Sequence, residues 1–408
     1  RQAKWILMSS VLFNLSLFFV YKYLNFTTYN LNLLGTCVGY GQIVRQTNIA
    51  LPIGISFFTF QAMSYVFDVY YDKGDVQRNP LNVILYVSLF PQLIAGPIVR
   101  YQTVANEIRS RQETTEDFVK GIKRFIIGLA KKAILANTIA VLADAAYSAL
   151  PNGTLTVGYA WLGILAYSLQ IYFDFSGYSD MAIGLGLMFG FHFLENFNHP
   201  YLSKTVSDFW RRWHISLGTW FRDYVYIPLG GSRVSRGRLV LNLLIVWSLT
   251  GIWHGAAWTF LLWGLMYFVL LTFEKLTGIE NKISGGRWLS ALYRVFTLLC
   301  VMCGWVFFRA ESLSQGMQYL ETMFGLSQAG VWSSMTGYMF RQYAVVLGIA
   351  VLCCLDWKEV LFRRSPPLPE NAPVVLYVGK VALLTILAIA AVSFTVSSGY
   401  NPFIYFNF

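Results

Sequence analysis

The chain has 408 residues, of which 56% are hydrophobic, 17% aromatic and only 12% charged. A soluble chain carries about a quarter charged residues because its surface must meet water. This composition therefore excludes a water-soluble globule and leaves a bundle whose outer face meets lipid. The net charge is +11, and Lys and Arg gather between apolar runs, at Arg109 and Arg111, across 120–132, across 233–238 and at Arg363 and Arg364. That is the pattern of cytoplasmic loops beside anionic lipid. No groove-reading module accompanies the charge, so nucleic acid is not an expected partner.

In chain order, apolar runs occupy 5–21, 49–70, 81–98, 125–142, 157–172, 239–253, 258–271, 288–308, 343–355 and 374–392. Their lengths approach the ~20 residues a helix needs to cross a bilayer core, which predicts about ten membrane elements. The 81–98 run carries Pro91 and Pro97, and 181–193 would be only about 20 Å long as a helix, so both are expected to be re-entrant or interfacial. The chain opens on Arg1 and runs almost at once into an apolar segment; one or more membrane helices are expected to precede it. Residues 278–287 and 365–373, the latter with Pro366, Pro367, Pro369 and Pro373, read as loops. Cys300 and Cys303 lie at helical spacing in an apolar run, and adjacent Cys353 and Cys354 read as small apolar residues. Neither pair is completed to a tetrahedral site, so no metal is expected.

The segment 172–263 is expected to carry the chemistry. Between Asp174 and Trp263 lie all four histidines, His192, His199, His214 and His254. His214 stands in a stretch dense in Trp and Arg, FWRRWHISLGTWFRDYVYIPLGG over 209–231, a mixture that also suits the membrane interface. His254 stands at membrane depth in TGIWHGAAW, residues 250–258. An ionisable group there is costly and is a functional candidate by default, and flanking Gly251 and Gly255 are expected to leave room for a substrate. A helix-packing histidine and a proton relay in a transporter are the competing readings. His192 and His199 are expected to be solvated or satisfied locally, and Asn196, Asn198 and Pro200 to form a loop with turn chemistry. Asp174 and Asp180 flank Ser176 and Gly177; one of them could orient a catalytic histidine, although a helix-capping carboxylate explains Asp180 as well. Gln61 and Gln92 are candidates for interhelical hydrogen bonds.

Five blocks in order, LPIGISFFTFQ (51–61), FPQLIAGPI (90–98), YFDFSGYSD (172–180), and the two histidine segments, resemble the membrane-bound O-acyltransferase (MBOAT) family. FWRRWH (209–214) followed by IPLGG (227–231) is similar to the bacterial branch that includes the alginate O-acetylation membrane protein. The resemblance implies an all-α polytopic membrane protein, a helical bundle enclosing a tunnel or funnel, with 1–408 as one membrane-embedded domain in a bacterial inner membrane. It implies an acyl thioester such as acetyl-coenzyme A, or a charged acyl carrier, as donor on the cytoplasmic side, with no bound cofactor. It also implies a polysaccharide hydroxyl as acceptor, reached directly or through an extracytoplasmic O-acetyltransferase of the SGNH-hydrolase type. The family's invariant histidine falls on His254 and its more variable one on His214.

In that setting His254 would serve as the base that takes the hydroxyl proton near neutral pH, and His214 would polarise the thioester carbonyl or orient the imidazole. Arg211, Arg212 and Arg222 suit the phosphates of a donor, with Trp210, Trp253 and Asp174 as further substrate contacts. A transporter or flippase, and a non-catalytic scaffold subunit, remain as readings from other classes; the first calls for an internal repeat, and the chain shows none.

Overall fold

The structure is a computed structural model that describes residues 2–47, 49–94, 96–283, 285–357, 374–399 and 403–404. Regular structure among them is helical throughout. In chain order the helices are α1 (Gln2–Cys37), α2 (Ile55–Tyr70), α3 (Pro80–Ser88), α4 (Tyr101–Arg109), α5 (Thr115–Ala149), α6 (Val157–Met188), α7 (Val206–Arg212), α8 (Ile215–Phe221), α9 (Arg236–His254), α10 (Trp258–Thr277), α11 (Ile279–Ile283), α12 (Arg287–Arg309), α13 (Leu313–Met323), α14 (Ser334–Cys353) and α15 (Val374–Ser397). The stretch 365–373 lies outside the described residues, and 278–287, expected as a loop, contains the short α11.

Among the described residues six helices are long and apolar enough to cross a membrane: α1, α5, α10, α12, α14 and Val378–Ser397 of α15. The chain is a multi-pass membrane protein, but ten apolar runs do not translate into ten such helices. The shortfall has physical causes. The 49–70 run becomes helical only at Ile55, because Pro52 and the left-handed Gly54 (φ 81°) take the turn before it. The 81–98 run stops being helical at Ser88, ahead of Pro91. Helices α6 and α9 are long, with 32 and 19 residues, but less apolar, because α6 carries Gln170, Asp174 and Asp180 and α9 begins with Arg236 and Arg238. Helix α6 is enclosed along most of its length, from Tyr159 to Gly186, so it needs no lipid-facing stripe.

Residues 181–193 form no separate element, since α6 continues to Met188. Asp180 therefore caps no helix; it lies inside α6, 2.8 Å from Arg124 and 2.6 Å from Lys131.

Helices α5 and α6 pack against each other along their length, and small residues make the approach possible. A Cβ on Gly128 would stand 2.6 Å from the Gly177 carbonyl oxygen, and one on Gly177 would stand 2.7 Å from that of Gly128. Two turns away Gly121 and Gly184 repeat the arrangement at 2.5 and 2.7 Å. The same device joins α9 to α10: a Cβ on Gly251 would meet the Phe260 carbonyl at 2.5 Å, and one on Gly264 the Trp247 carbonyl at 2.4 Å. Among the described residues three π-helical turns interrupt the regular ladder, at Phe19–Tyr23 in α1, Lys131–Ala136 in α5 and Arg222–Tyr226 after α8. Lys22 lies in the first, Lys131 and Lys132 in the second and Arg222 in the third, which fits the tendency of such turns to fall at functional positions.

Candidate active site

The end of α9 delivers His254 into an aromatic cage. Its ring centroid lies 4.9 Å from Trp253, 4.9 Å from Trp263, 5.1 Å from Phe308 and 6.5 Å from Phe260. The residue is 4% exposed. Helix α10 supplies Phe260 and Trp263 because it returns antiparallel to α9, and α12 supplies Phe308. Gly255 and Gly251 do not leave space for a substrate, contrary to expectation. A Cβ on Gly255 would sit 2.2 Å from the Phe260 ring, and Gly251 admits the α10 backbone, so the glycines let the cage close around the imidazole.

His214 lies between α7 and α8 in the left-handed region, with φ 47° and ψ 53°. This conformation is uncommon for a residue other than glycine and persists only where the surroundings hold it. Asn196 does so. Its carbonyl accepts the Ile215 N–H at 2.9 Å. Its side-chain Oδ1 accepts from the Ser216 N–H at 3.1 Å and the Ser216 hydroxyl at 2.9 Å, and lies 3.2 Å from His214 Nδ1. A backbone N–H can only donate, so the Asn196 atom receiving it is the carbonyl oxygen. His214 Nδ1 must then carry the proton, and in the neutral ring Nε2 holds the lone pair.

An indole joins the two histidines. Trp253 lies 6.0 Å from the His214 ring and 4.9 Å from that of His254, with Phe57 packed on both Trp253 and His214 at 5.5 and 6.3 Å. One cavity lies beside His214 and another beyond Phe260 and Phe308. The first, of about 390 Å³, contains His214, Trp210, Arg211, Arg222, Thr250 and Lys275, and so opens toward the start of α9 and the end of α10, where Arg233, Arg236 and Arg238 also lie. The second, of about 600 Å³, is lined by Lys132, Asp144, Asp174, Phe260, Phe308 and Arg309, at the opposite ends of α10 and α12. Phe260 and Phe308 thus present one side to His254 and the other to the second cavity.

The remaining sequence-predicted residues divide accordingly. Trp210, half-buried against Trp247 and Tyr267, Arg211 and Arg222 line the first cavity. Arg211 pairs with Glu280 at 2.8 Å and Arg222 with Asp223 at 2.7 Å, yet both side chains remain well exposed. Burial pushes the Asp223 carboxyl up, but hydrogen bonds from Arg222 and Arg100 prevail and hold it below the usual carboxylate range. Arg212 is not brought to that cavity; it bonds Asp208 at 3.0 Å. Asp174 is separated from the His214 cavity: it is 1% exposed, paired with Lys132, accepts the Ile404 N–H at 2.8 Å, and faces the second cavity. It orients neither histidine through any contact seen among the described residues. His192 binds Glu107 and His199 faces the Cys354 carbonyl, partners 85 and 155 residues away in the sequence. Gln92 donates to the Tyr86 carbonyl at 2.8 Å, within its own segment and not across to another helix.

Sequence reasoning passed over Asn196 in this role, and Lys22 and Lys275 altogether, while Lys132 was read only as part of the basic stretch 120–132. For Lys22 a signal existed: a cation directly at the edge of an apolar run is itself a functional candidate.

The sequence model described as MBOAT, membrane-bound O-acyltransferase family, matches residues 75–278, which include Asp174, Asn196 and both site histidines. The chain belongs to the membrane-bound O-acyltransferase family. It is 38% identical to the probable alginate O-acetylase AlgI of Pseudomonas putida over 99% of this chain and 84% of that protein. It is 45% identical to the protein of the same name in Pseudomonas aeruginosa, over 91% of this chain and 69% of the relative. The peptidoglycan O-acetyltransferase of Helicobacter pylori is 35% identical over 79% of this chain and 65% of its own length. The chain is therefore an MBOAT acyltransferase, and the transporter and scaffold readings fall away.

Proposed function

We propose that this acyltransferase moves an acetyl group from a thioester donor, entering at the basic end, to a hydroxyl reached from the other face, and that the acceptor chain is an extracytoplasmic polysaccharide of the alginate type. The observation that carries the reading is the layer of His214, Trp253 and His254 set between two cavities at opposite ends of the helices. By the positive-inside rule the end bearing Arg233, Arg236 and Arg238 is cytoplasmic, in a bacterial inner membrane. The names of the relatives favour alginate over peptidoglycan, because the alginate O-acetylases match at higher identity and over more of the chain.

In the transfer, His254 takes the proton of the acceptor hydroxyl as its oxygen attacks the thioester carbonyl. The carbon–sulfur bond then breaks, and the imidazolium returns the proton to the departing thiolate. Such a base contributes about 10²–10⁴-fold. His214 is held for a different task. With Nδ1 committed to Asn196, its Nε2 accepts a hydrogen bond when the ring is neutral; orienting the donor is the role that follows. Arg211, Arg222 and Lys275 form a cationic lining suited to the phosphates of coenzyme A or of a carrier's pantetheine arm. The final acceptor is the polysaccharide itself or an extracytoplasmic O-acetyltransferase of the SGNH-hydrolase type that takes the group onward.

The reading is tested in proteoliposomes loaded on one side only with labelled acetyl-coenzyme A. Label appearing on an alginate oligosaccharide or partner protein on the opposite side supports vectorial transfer; label confined to the donor side contradicts it. Two substitutions refine the roles. Arg222→Ala is expected to raise the donor KM about tenfold with little change in kcat, the loss of one charge-assisted contact; an unchanged KM removes Arg222 from the donor site. Asn196→Ala, which frees His214 from its left-handed conformation, is expected to lower transfer about 10–100-fold. It also costs about 1–3 kcal/mol from the buried donors left unmet, which a thermal-stability comparison in detergent detects.

A further inference from the structure

Lys22 lies in the π-helical turn of α1 and is 9% exposed. Its Nζ stands 2.8 Å from the Trp253 carbonyl oxygen, 2.9 Å from that of His254 and 3.0 Å from the Ser56 hydroxyl. The neighbouring Tyr23 hydroxyl donates to the Gly255 carbonyl at 3.3 Å, and the Trp253 indole N–H donates to the Ser56 carbonyl at 3.2 Å. The end of α9 is thus tied to two other helices within three consecutive residues.

The last carbonyls of a helix have no partner inside it, and burying them unmet is costly. Many helices solve this with a left-handed residue that folds the chain back onto those carbonyls. At the end of α9 the chain instead leaves in extended form, with Gly255 at φ −171° and ψ 158°, so the carbonyls must be met from outside. Lys22 and Tyr23 meet those of Trp253, His254 and Gly255. A protonated lysine amino group has three N–H donors, and here three oxygens accept them. No N–H remains to contact a thioester, so Lys22 acts through the backbone.

The geometry points to Lys22 as a positioning residue for His254: by clamping the terminal carbonyls of α9 from α1 it fixes where the imidazole enters its aromatic cage. The inference rests on the reading of His254 as the transfer base. Proton transfer requires the base within about 2.6–3.2 Å of the hydroxyl, and a displacement near 1 Å costs about 10²-fold in rate. Both Lys22 and Ser56 lie outside residues 75–278, the segment the family model matches.

The test uses the full chain in lipid nanodiscs, with amide hydrogen exchange read on the peptide covering 250–257, and in parallel polysaccharide O-acetyl content in cells at matched protein level. Lys22→Met is expected to speed exchange in that peptide about tenfold while α5 and α6 peptides stay as in the wild type. Acetylation is expected to fall about 10–100-fold, and Lys22→Arg should restore both readouts in part. Unchanged exchange at 250–257, or faster exchange with full acetylation, overturns the inference. If Lys22→Met does not accumulate, Tyr23→Phe deletes the tie to the Gly255 carbonyl and Ser56→Ala the hydroxyl that anchors the Lys22 amino group to α2, and about threefold faster exchange in the same peptide is expected; no change in either again overturns it. Should His254→Ala retain acetylation, the catalytic reading fails, and the exchange data still judge whether Lys22 holds the helix end.

Discussion

Replacing His254 with alanine is expected to reduce acyl transfer about 10²–10⁴-fold, the range spanned by loss of a positioned general base, without loss of folded protein. The second half of the expectation follows from the cage. The cage walls have packing partners besides the imidazole: Trp263 and Phe308 lie 5.3 Å apart and Phe260 and Phe308 5.0 Å apart, while Trp253 packs on Phe57 and Phe60 at 5.5 and 5.4 Å. Truncating the ring therefore leaves a lined hole and not a collapsed wall, at a cost of a few kcal/mol, within the reach of a bundle this extensively packed. Transfer rate at matched protein amount, together with thermal unfolding in detergent, measures both halves. A variant that unfolds would assign His254 to packing; a variant that stays folded and active would remove it from the chemistry.

The second large effect is expected at the α5–α6 contact. Gly177→Leu should prevent accumulation of folded protein, because even a Cβ there stands 2.7 Å from the Gly128 carbonyl oxygen, and a backbone carbonyl cannot turn aside. Gly177→Ala should cost about 1–3 kcal/mol, the usual range for overpacking. Gly348→Leu is the control: on α14 a Cβ meets nothing within 4 Å, so near wild-type levels are expected. Membrane yield by immunoblot and the elution profile in detergent read the difference. Equal yields for the Gly177 and Gly348 variants would mean that α5 and α6 do not approach as described. Because Asp174 lies one turn before Gly177 on the same helix, the partly tolerated Gly177→Ala should also disturb the Lys132–Asp174 pair in the second cavity.

What could be read in the sequence and what could not follow a physical division. Histidine is rare in this chain, and at membrane depth it is costly, so His254 stood out against its apolar surroundings, and His214 by its place in a stretch dense in Trp and Arg. The all-helical membrane class was legible for the same reason, since hydropathy over about 20 residues is a local property. The count of crossing helices was not, because an enclosed helix such as α6 has no need of the apolar face that the expectation relied on. Asn196 was taken for a turn residue. Its loop position is real, but its work is done on Ser216 and His214, 20 and 18 residues further along the chain. Lys22 reaches Trp253 and His254 across 231 and 232 residues, and a lone lysine in an apolar run is otherwise read as one that snorkels to the interface. Gly251 and Gly255 show the converse error. Small residues beside a candidate base suggest room for a ligand, whereas here the room is taken by α10.

The most direct test of His254 as the transfer base is polysaccharide O-acetyl content in a deletion strain complemented with the wild-type chain, His254→Ala or His214→Ala, with membrane levels equalised by immunoblot. The account predicts acetylation lost with His254→Ala and reduced with His214→Ala at normal protein level. Normal acetylation with His254→Ala would contradict it.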